Sequence, residues 1–157
     1  MKTKTLALTA LFISLAAIGG LLKIPVGIAS IALDSMPALI AALFLSAPLA
    51  GTVAAAGHLL SAMLGGFPLG PFHFLIAFEM FAVVWLFAKM SEHRWNKLRW
   101  PAFVMGNGII AAIPFYFLLS PAFFYASVPG LLLAAAINAG VAAVVMPFMF
   151  RVGEKVS

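Results

Sequence analysis

FHFLIAFEMFAVVWLFAK, residues 72–89, carries only His73, Glu79 and Lys89 as polar interruptions of an apolar run. A run of this length is what a helix needs to cross hydrocarbon, about 20 residues at 1.5 Å each. The rest of the chain has the same character. Of 157 residues, 65% are hydrophobic and 8% charged, against roughly half and a quarter in soluble domains. A soluble globule is therefore excluded. Six spans at about 26 residues apiece, connections included, nearly exhaust the length. The expectation is an all-α, polytopic membrane protein of one domain, residues 1–157, with no room for a nucleotide-binding or extramembrane catalytic domain. Any ATP chemistry has to come from a partner. The absence of cysteine excludes disulfides, thiolate chemistry and a lipoprotein anchor.

Gly and Pro clusters divide the remaining sequence, because they interrupt helices where charges are absent. Lys2 and Lys4 ahead of the run from Leu6 imitate a secretory signal, but the run continues to Leu22 and reads as a first membrane helix over residues 4–22. Lys23 to Asp34, with Pro25 and Gly27, reads as a loop or re-entrant segment. A second, short helix is expected from Ser35 to Leu45, and a third from the Ser46-Ala47-Pro48 break to Leu64. The fourth, residues 72–89, follows Gly65-Gly66-Phe67-Pro68-Leu69-Gly70-Pro71. The fifth covers Pro101 to Leu119, Ser120 to Ser127 reads as a loop, and the sixth runs from Val128 to Arg151.

Basic residues in short connections remain on the cytoplasmic side. With six spans and an inside N-terminus, Lys2, Lys4, Lys89, Arg94, Lys97, Arg99, Arg151 and Lys155 fall inside and Lys23 alone outside. Both termini are thus expected in the cytoplasm. Trp85, Trp95 and Trp100 cluster at the basic loop, as in an interfacial aromatic belt.

Ionisable groups inside an apolar chain are costly and are functional candidates by default. In this topology Asp34, His58, Ser61, His73 and Glu79 crowd the outer half of the bundle, which suits a pocket for a polar small molecule. Alternatives stand beside this reading. His58 also fits a core histidine, His73 a helix-start surface residue, Asp34 a cap, and Lys23 an interfacial anchor. Glu79 has no such role to explain it. Asn138 fits either the pocket floor or an interhelical hydrogen bond, Asn107 fits packing, and Tyr116 and Tyr125 fit either the interface belt or packing on a flat ligand. Ala7, Ala10, Ser14 and Ala17 form a narrow stripe of small residues on the first helix, which permits close approach of another helix within the bundle or from a partner. No phosphate loop, nucleophile elbow or zinc-protease motif is present, so no enzyme, metal or cofactor is expected.

This pattern resembles the substrate-binding S component of energy-coupling factor (ECF) vitamin transporters. The resemblance rests on a short six-helix chain, the small-residue stripe and the long first loop from Lys23. It implies that the stripe, with Ala10-x-x-x-Ser14 in place of the family's Ala-x-x-x-Ala, docks on a transmembrane coupling subunit that works with two ATPase subunits, and that the first loop lids an outward-facing pocket. Ala32-Leu33-Asp34-Ser35, Gly57-His58-Leu59-Leu60-Ser61-Ala62 and the Gly65 to His73 loop look like the α-ribazole branch, which handles a cobalamin precursor. That resemblance implies a ligand with a dimethylbenzimidazole and a ribose. Asp34, His58, His73 and Glu79 would bond its polar atoms, and Phe67, Phe72 and the tyrosines would pack on its ring. The implied site is the plasma membrane, and no nucleic acid is involved. A proton-coupled secondary transporter using Glu79 is the alternative; a metal site on His58, His73 and Glu79 has no ligand motif to support it.

Overall fold

The computed structural model describes residues 3–26, 29–92 and 96–156. The readings placed on Lys2, Gly27, Arg94 and Trp95 lie outside these residues, as do those on the side chains of Lys23, Pro25, Arg151 and Lys155. The elements in order are α1 (Thr3–Leu21), β1 (Lys23–Val26), β2 (Ala29–Ala32), α2 (Ser35–Ala41), α3 (Ala47–Leu64), α4 (Phe72–Ser91), α5 (Arg99–Gly108), a 3-10 turn (Ile110–Ala112), α6 (Ile113–Leu118) and α7 (Pro121–Val156). Five stretches are long and apolar enough to cross a membrane: α1, α3, α4, the α5–α6 run and α7. The chain is a multi-pass membrane protein.

Small residues set the arrangement of α1 and α3. A Cβ on Gly57 would collide with the Cβ of Ala16, and one on Gly20 with Ser61 Oγ. The two pairs keep one register offset, so α1 and α3 run parallel with their backbones in close approach. Parallel neighbours require residues 22–46 to return along the length of α3, about 27 Å for its 18 residues.

An antiparallel hairpin pairing Lys23 with Ala32 and Val26 with Ala29 first brings the chain back level with the end of α1, where Leu33 N–H donates to Gly19 O at 3.1 Å, and the return starts from there. The expected loop or re-entrant segment is therefore a β-ribbon. Next comes α2, which touches α1, α3, α4 and α7. Ser35 and Pro37 through Ala41 are all buried, as a helix apolar on every side must be. The expected second helix to Leu45 stops at Ala41. Residues 42–45 continue as turns, with Leu43, Phe44 and Leu45 N–H donating to Ile40 and Ala41 carbonyls.

Two other boundaries differ from the expectation. The fifth helix is broken between α5 and α6, because Pro114 has no N–H to donate to the carbonyl of Ile110 and Ile109 leaves helical geometry at φ −122°. Here Gly108 lets α7 approach, since a Cβ would lie 2.7 Å from Leu132 Cδ2. The expected loop from Ser120 to Ser127 is instead the first part of α7. Pro121 opens that helix where a missing N–H costs nothing, Ser120 Oγ accepts from Phe123 N–H at 3.1 Å, and Pro129 lies within the helix.

At the end of the bundle that holds the α4–α5 connection, Phe87 packs edge-on against Trp100 and Phe103 at 5.1 and 6.2 Å. The Arg99 guanidinium lies 4.9 Å from the Phe87 and Trp100 ring centres and donates to Ser91 Oγ at 2.6 Å. Trp100 is thus a packing residue that shields a cation, whereas Trp85, 39% exposed, is placed as a belt residue would be.

The close approach of α1 and α3 makes a contrast between two glycines. Gly57→Ala should cost about 1–3 kcal/mol through overpacking and lower the thermal unfolding midpoint of the detergent-purified protein. Gly140 has open space where its Cβ would stand, so Gly140→Ala should hold or raise the midpoint, with up to about 1 kcal/mol of helix propensity. Equal midpoints would remove the close approach as a determinant.

Candidate functional site

A cavity of about 310 Å³ lies between the end of the hairpin and α2 through α7, at the lower limit of the usual ligand-pocket range, roughly 300–1,000 Å³. Asp34, His58, Ser61, His73, Glu79 and Asn138 line it. Phe67 does not; it packs edge-on against His73 at 5.7 Å and stacks on Phe74 at 6.4 Å. Walls are supplied by Leu69, Ile76, Phe115, Phe123 and Leu131 among others, and Ser35, Asn107 and Ser127 add polar groups. Asn107, expected to serve packing, is therefore a lining residue. Its signal was the polar amide inside a membrane-length run, the same signal that marked Asn138.

The polar groups at one side form a continuous array. His73 Nε2 accepts the Leu69 N–H at 3.3 Å, so this nitrogen carries no proton and Nδ1 does. His73 Nδ1 lies 3.1 Å from His58 Nε2 and donates to it. The His58 proton is then on Nδ1, which faces Asp34 Oδ2 at 3.5 Å. Asp34 Oδ1 accepts from Ser35 Oγ at 3.2 Å. One backbone N–H thereby orders two imidazoles and a carboxylate contributed by α4, α3 and the start of α2. The connection that supplies this N–H is tightly bent: Gly66, Phe67 and Gly70 have φ of 79°, 49° and 54°. Phe67 in the left-handed region is unusual for a bulky residue, and in that conformation its ring lies against His73.

Asn138 is buried and its amide is already committed. Its Oδ1 accepts Met36 N–H at 2.8 Å, and its Nδ2 donates to Ala32 O at 2.7 Å and Ala134 O at 2.9 Å. It clamps both sides of Asp34–Ser35 to α7, which is the interhelical role rather than a free pocket-floor amide. Glu79 is the opposite case. Its Oε2 is buried without a hydrogen-bond partner among the described residues, and its position six residues after His73 on α4 puts it about 9 Å along the helix.

Tyr116 and Tyr125 do not line the cavity. They meet each other edge-on at 6.2 Å, and Tyr125 is 67% exposed, consistent with the belt. Phe72 packs edge-on against Phe115 at 5.7 Å behind the wall. On α1 the stripe separates: Ala7, Ala10 and Ser14 are exposed, whereas Ala17 is buried within the bundle. Ser14 Oγ donates to Ala10 O at 3.0 Å, which leaves no unpaired hydroxyl proton on that face. Among the described residues no group of three His, Asp or Glu side chains is placed to hold a metal ion.

No protein-family model matches the sequence, and no curated protein matches it. Among solved structures, the chain is similar to the S component of a bacterial ECF transporter, with a TM-score of 0.69 and 20% identity over 99% of this chain and 98% of that one. The likeness runs the whole length of both, so the bundle is that of an S component in fold.

The Asn138 clamp can be tested directly. Asn138→Leu keeps the volume but leaves Met36 N–H and Ala32 O buried without partners, at about 1–3 kcal/mol each. The unfolding midpoint should fall, and the Met36 amide should exchange with deuterium far faster than in the parent. Unchanged protection at Met36 would show that the clamp is not what holds α2.

Proposed function

We propose that this protein is the substrate-binding S component of an ECF importer, capturing a vitamin or vitamin precursor outside the cell for uptake powered by partner subunits. One observation carries most of the weight: a partly polar cavity sits inside a bundle that follows the S-component fold from end to end. In this reading the chain crosses the plasma membrane six times, with both termini in the cytoplasm. The second passage is made by α2 and its turns, in the direction that the parallel packing of α1 and α3 demands. The hairpin lies beside the cavity mouth, and the cavity faces outward.

The ligand proposed for this cavity is α-ribazole, as the resemblance of residues 32–35, 57–62 and 65–73 implies. Phe115 and Phe123 supply aromatic area for its benzimidazole, while the His58 and His73 array and Glu79 supply donors and acceptors for ribose hydroxyls and the ring nitrogen. The isolated chain binds and does not catalyse. Energy comes from a transmembrane coupling subunit and two ATPase subunits, docked on the exposed Ala7, Ala10 and Ser14 face of α1, with buried Ala17 supporting it from behind. Small side chains there let a partner helix approach closely.

A second reading, proton-coupled transport by the chain alone, draws on the partnerless Glu79 Oε2 and the ordered histidine array. Uptake into vesicles driven by a pH gradient, with no ATPase present, would select it.

Two measurements test the importer reading. Purified protein should be thermally stabilised by α-ribazole, since a ligand that binds only the folded state must stabilise it. Glu79→Ala and His58→Ala should each weaken binding about 10-fold or more, the equivalent of a lost polar contact of about 1.4 kcal/mol or above. Full-strength binding by both variants would reject the site. For docking, Ala10→Trp or Ser14→Trp should abolish ATP-dependent uptake while leaving binding intact; normal uptake would reject the face.

A further inference from the structure

We propose that the cavity selects its ligand by charge, admitting a neutral or cationic molecule that brings an N–H or O–H donor to Glu79 and refusing molecules that carry a phosphate or carboxylate. The inference rests on the reading of the cavity as a vitamin site and adds the chemical class of what enters it.

The lining contains two carboxylates, Asp34 and Glu79, and among the described residues no Lys or Arg. Nor do the histidines supply a cation. His73 Nε2 accepts a backbone N–H and His58 Nε2 accepts from His73 Nδ1, so each ring keeps one nitrogen unprotonated and neutral. Among the described residues, an anion entering this space would meet no fixed positive charge and no bidentate donor of the kind phosphate and carboxylate sites use.

The two carboxylates are not equivalent. Asp34 already accepts from Ser35 and faces the His58 proton. Glu79 Oε2 is buried with its acceptor capacity unused, and a buried polar atom without a partner is costly unless something supplies a donor. The cavity side of Glu79 is where that donor can come from. The two sets of polar groups also stand about 9 Å apart along α4, with Ile76 and the Phe115 and Phe123 rings also lining the space. The ligand is therefore an amphipathic molecule with polar groups at both ends, and the donor end goes to Glu79.

Matched pairs differing by one phosphate test this on the detergent-purified full chain: α-ribazole and its 5′-phosphate, riboflavin and its 5′-phosphate, and thiamine and its monophosphate, with biotin and pantothenate as carboxylates. Binding is read by thermal shift and by titration calorimetry. The expected result is stabilisation by an unphosphorylated member, with its ester about 100-fold weaker or worse, the scale of an uncompensated buried charge. Glu79→Gln removes the charge at constant shape, and it should narrow the gap between parent and ester about 10-fold. A merely structural Glu79 would change both affinities in proportion and leave their ratio intact. An ester or a carboxylate vitamin that binds as tightly as a neutral one, or a ratio unmoved by Glu79→Gln, overturns charge selection while leaving vitamin capture standing. Failure of every compound overturns vitamin capture itself, and charge selection with it. If Glu79→Gln does not fold, the ester comparison on the parent chain decides.

Discussion

Two contacts without side-chain volume govern the bundle: Gly57 against Ala16 and Gly20 against Ser61. In lipid, helices gain little from hiding apolar surface from one another, so close van der Waals approach has to hold them together. Once α1 and α3 lie parallel and this close, the chain between them has to travel back beside them. The hairpin and α2 are the outcome. Asp34 reaches the cavity because it follows the hairpin beside Gly20, and α2 is central because a short, almost wholly apolar helix has nowhere else to go.

The same constraint explains the division of labour among polar groups. Asn138 uses its whole amide to tie the hairpin end and the first turn of α2 to α7, which fixes Asp34 between the two tie points. Leu69 N–H, presented by a loop with three residues at positive φ, fixes the proton order of His73 and His58. These residues spend their hydrogen bonds on geometry. Among the described residues that line the cavity, Glu79 alone keeps a buried oxygen without a hydrogen-bond partner, which sets it apart from the groups whose bonds hold the cavity in shape.

Much of this was legible in the sequence. The helices α1, α3 and α4 stand within a residue or two of their expected bounds, because long apolar runs bordered by Gly, Pro or charge leave few alternatives in a bilayer. The rarity of intramembrane polar side chains likewise pointed to six lining residues. Proline was the misleading signal. Ser120 to Ser127, with Pro121, read as a loop, yet Pro121 opens α7, and Pro129, placed at the start of the sixth helix, lies well inside it, as neighbouring helices allow in membranes; Pro114 does break a helix, but inside a run read as continuous. The hairpin was illegible because Lys23 to Ala32 shows no clear alternation of apolar and polar residues. Phe67 shows a different limit: its loop was marked as special, but only a backbone at φ 49° turns the ring onto His73 instead of the cavity.

The shortness of α2 bears on how the protein is made. Seven residues give the insertion machinery far less apolar length than the roughly 20 it recognises as a span. Turns at 42–45 could not rest in bare lipid unless their backbone groups were bonded within the chain, as Leu43, Phe44 and Leu45 are. The stretch from Leu33 to Ser46 therefore depends on the longer helices around it for its buried setting. The cavity wall that α2 supplies thus belongs to the assembled bundle and not to any single apolar segment: α2 is held by its contacts with α1, α3, α4 and α7.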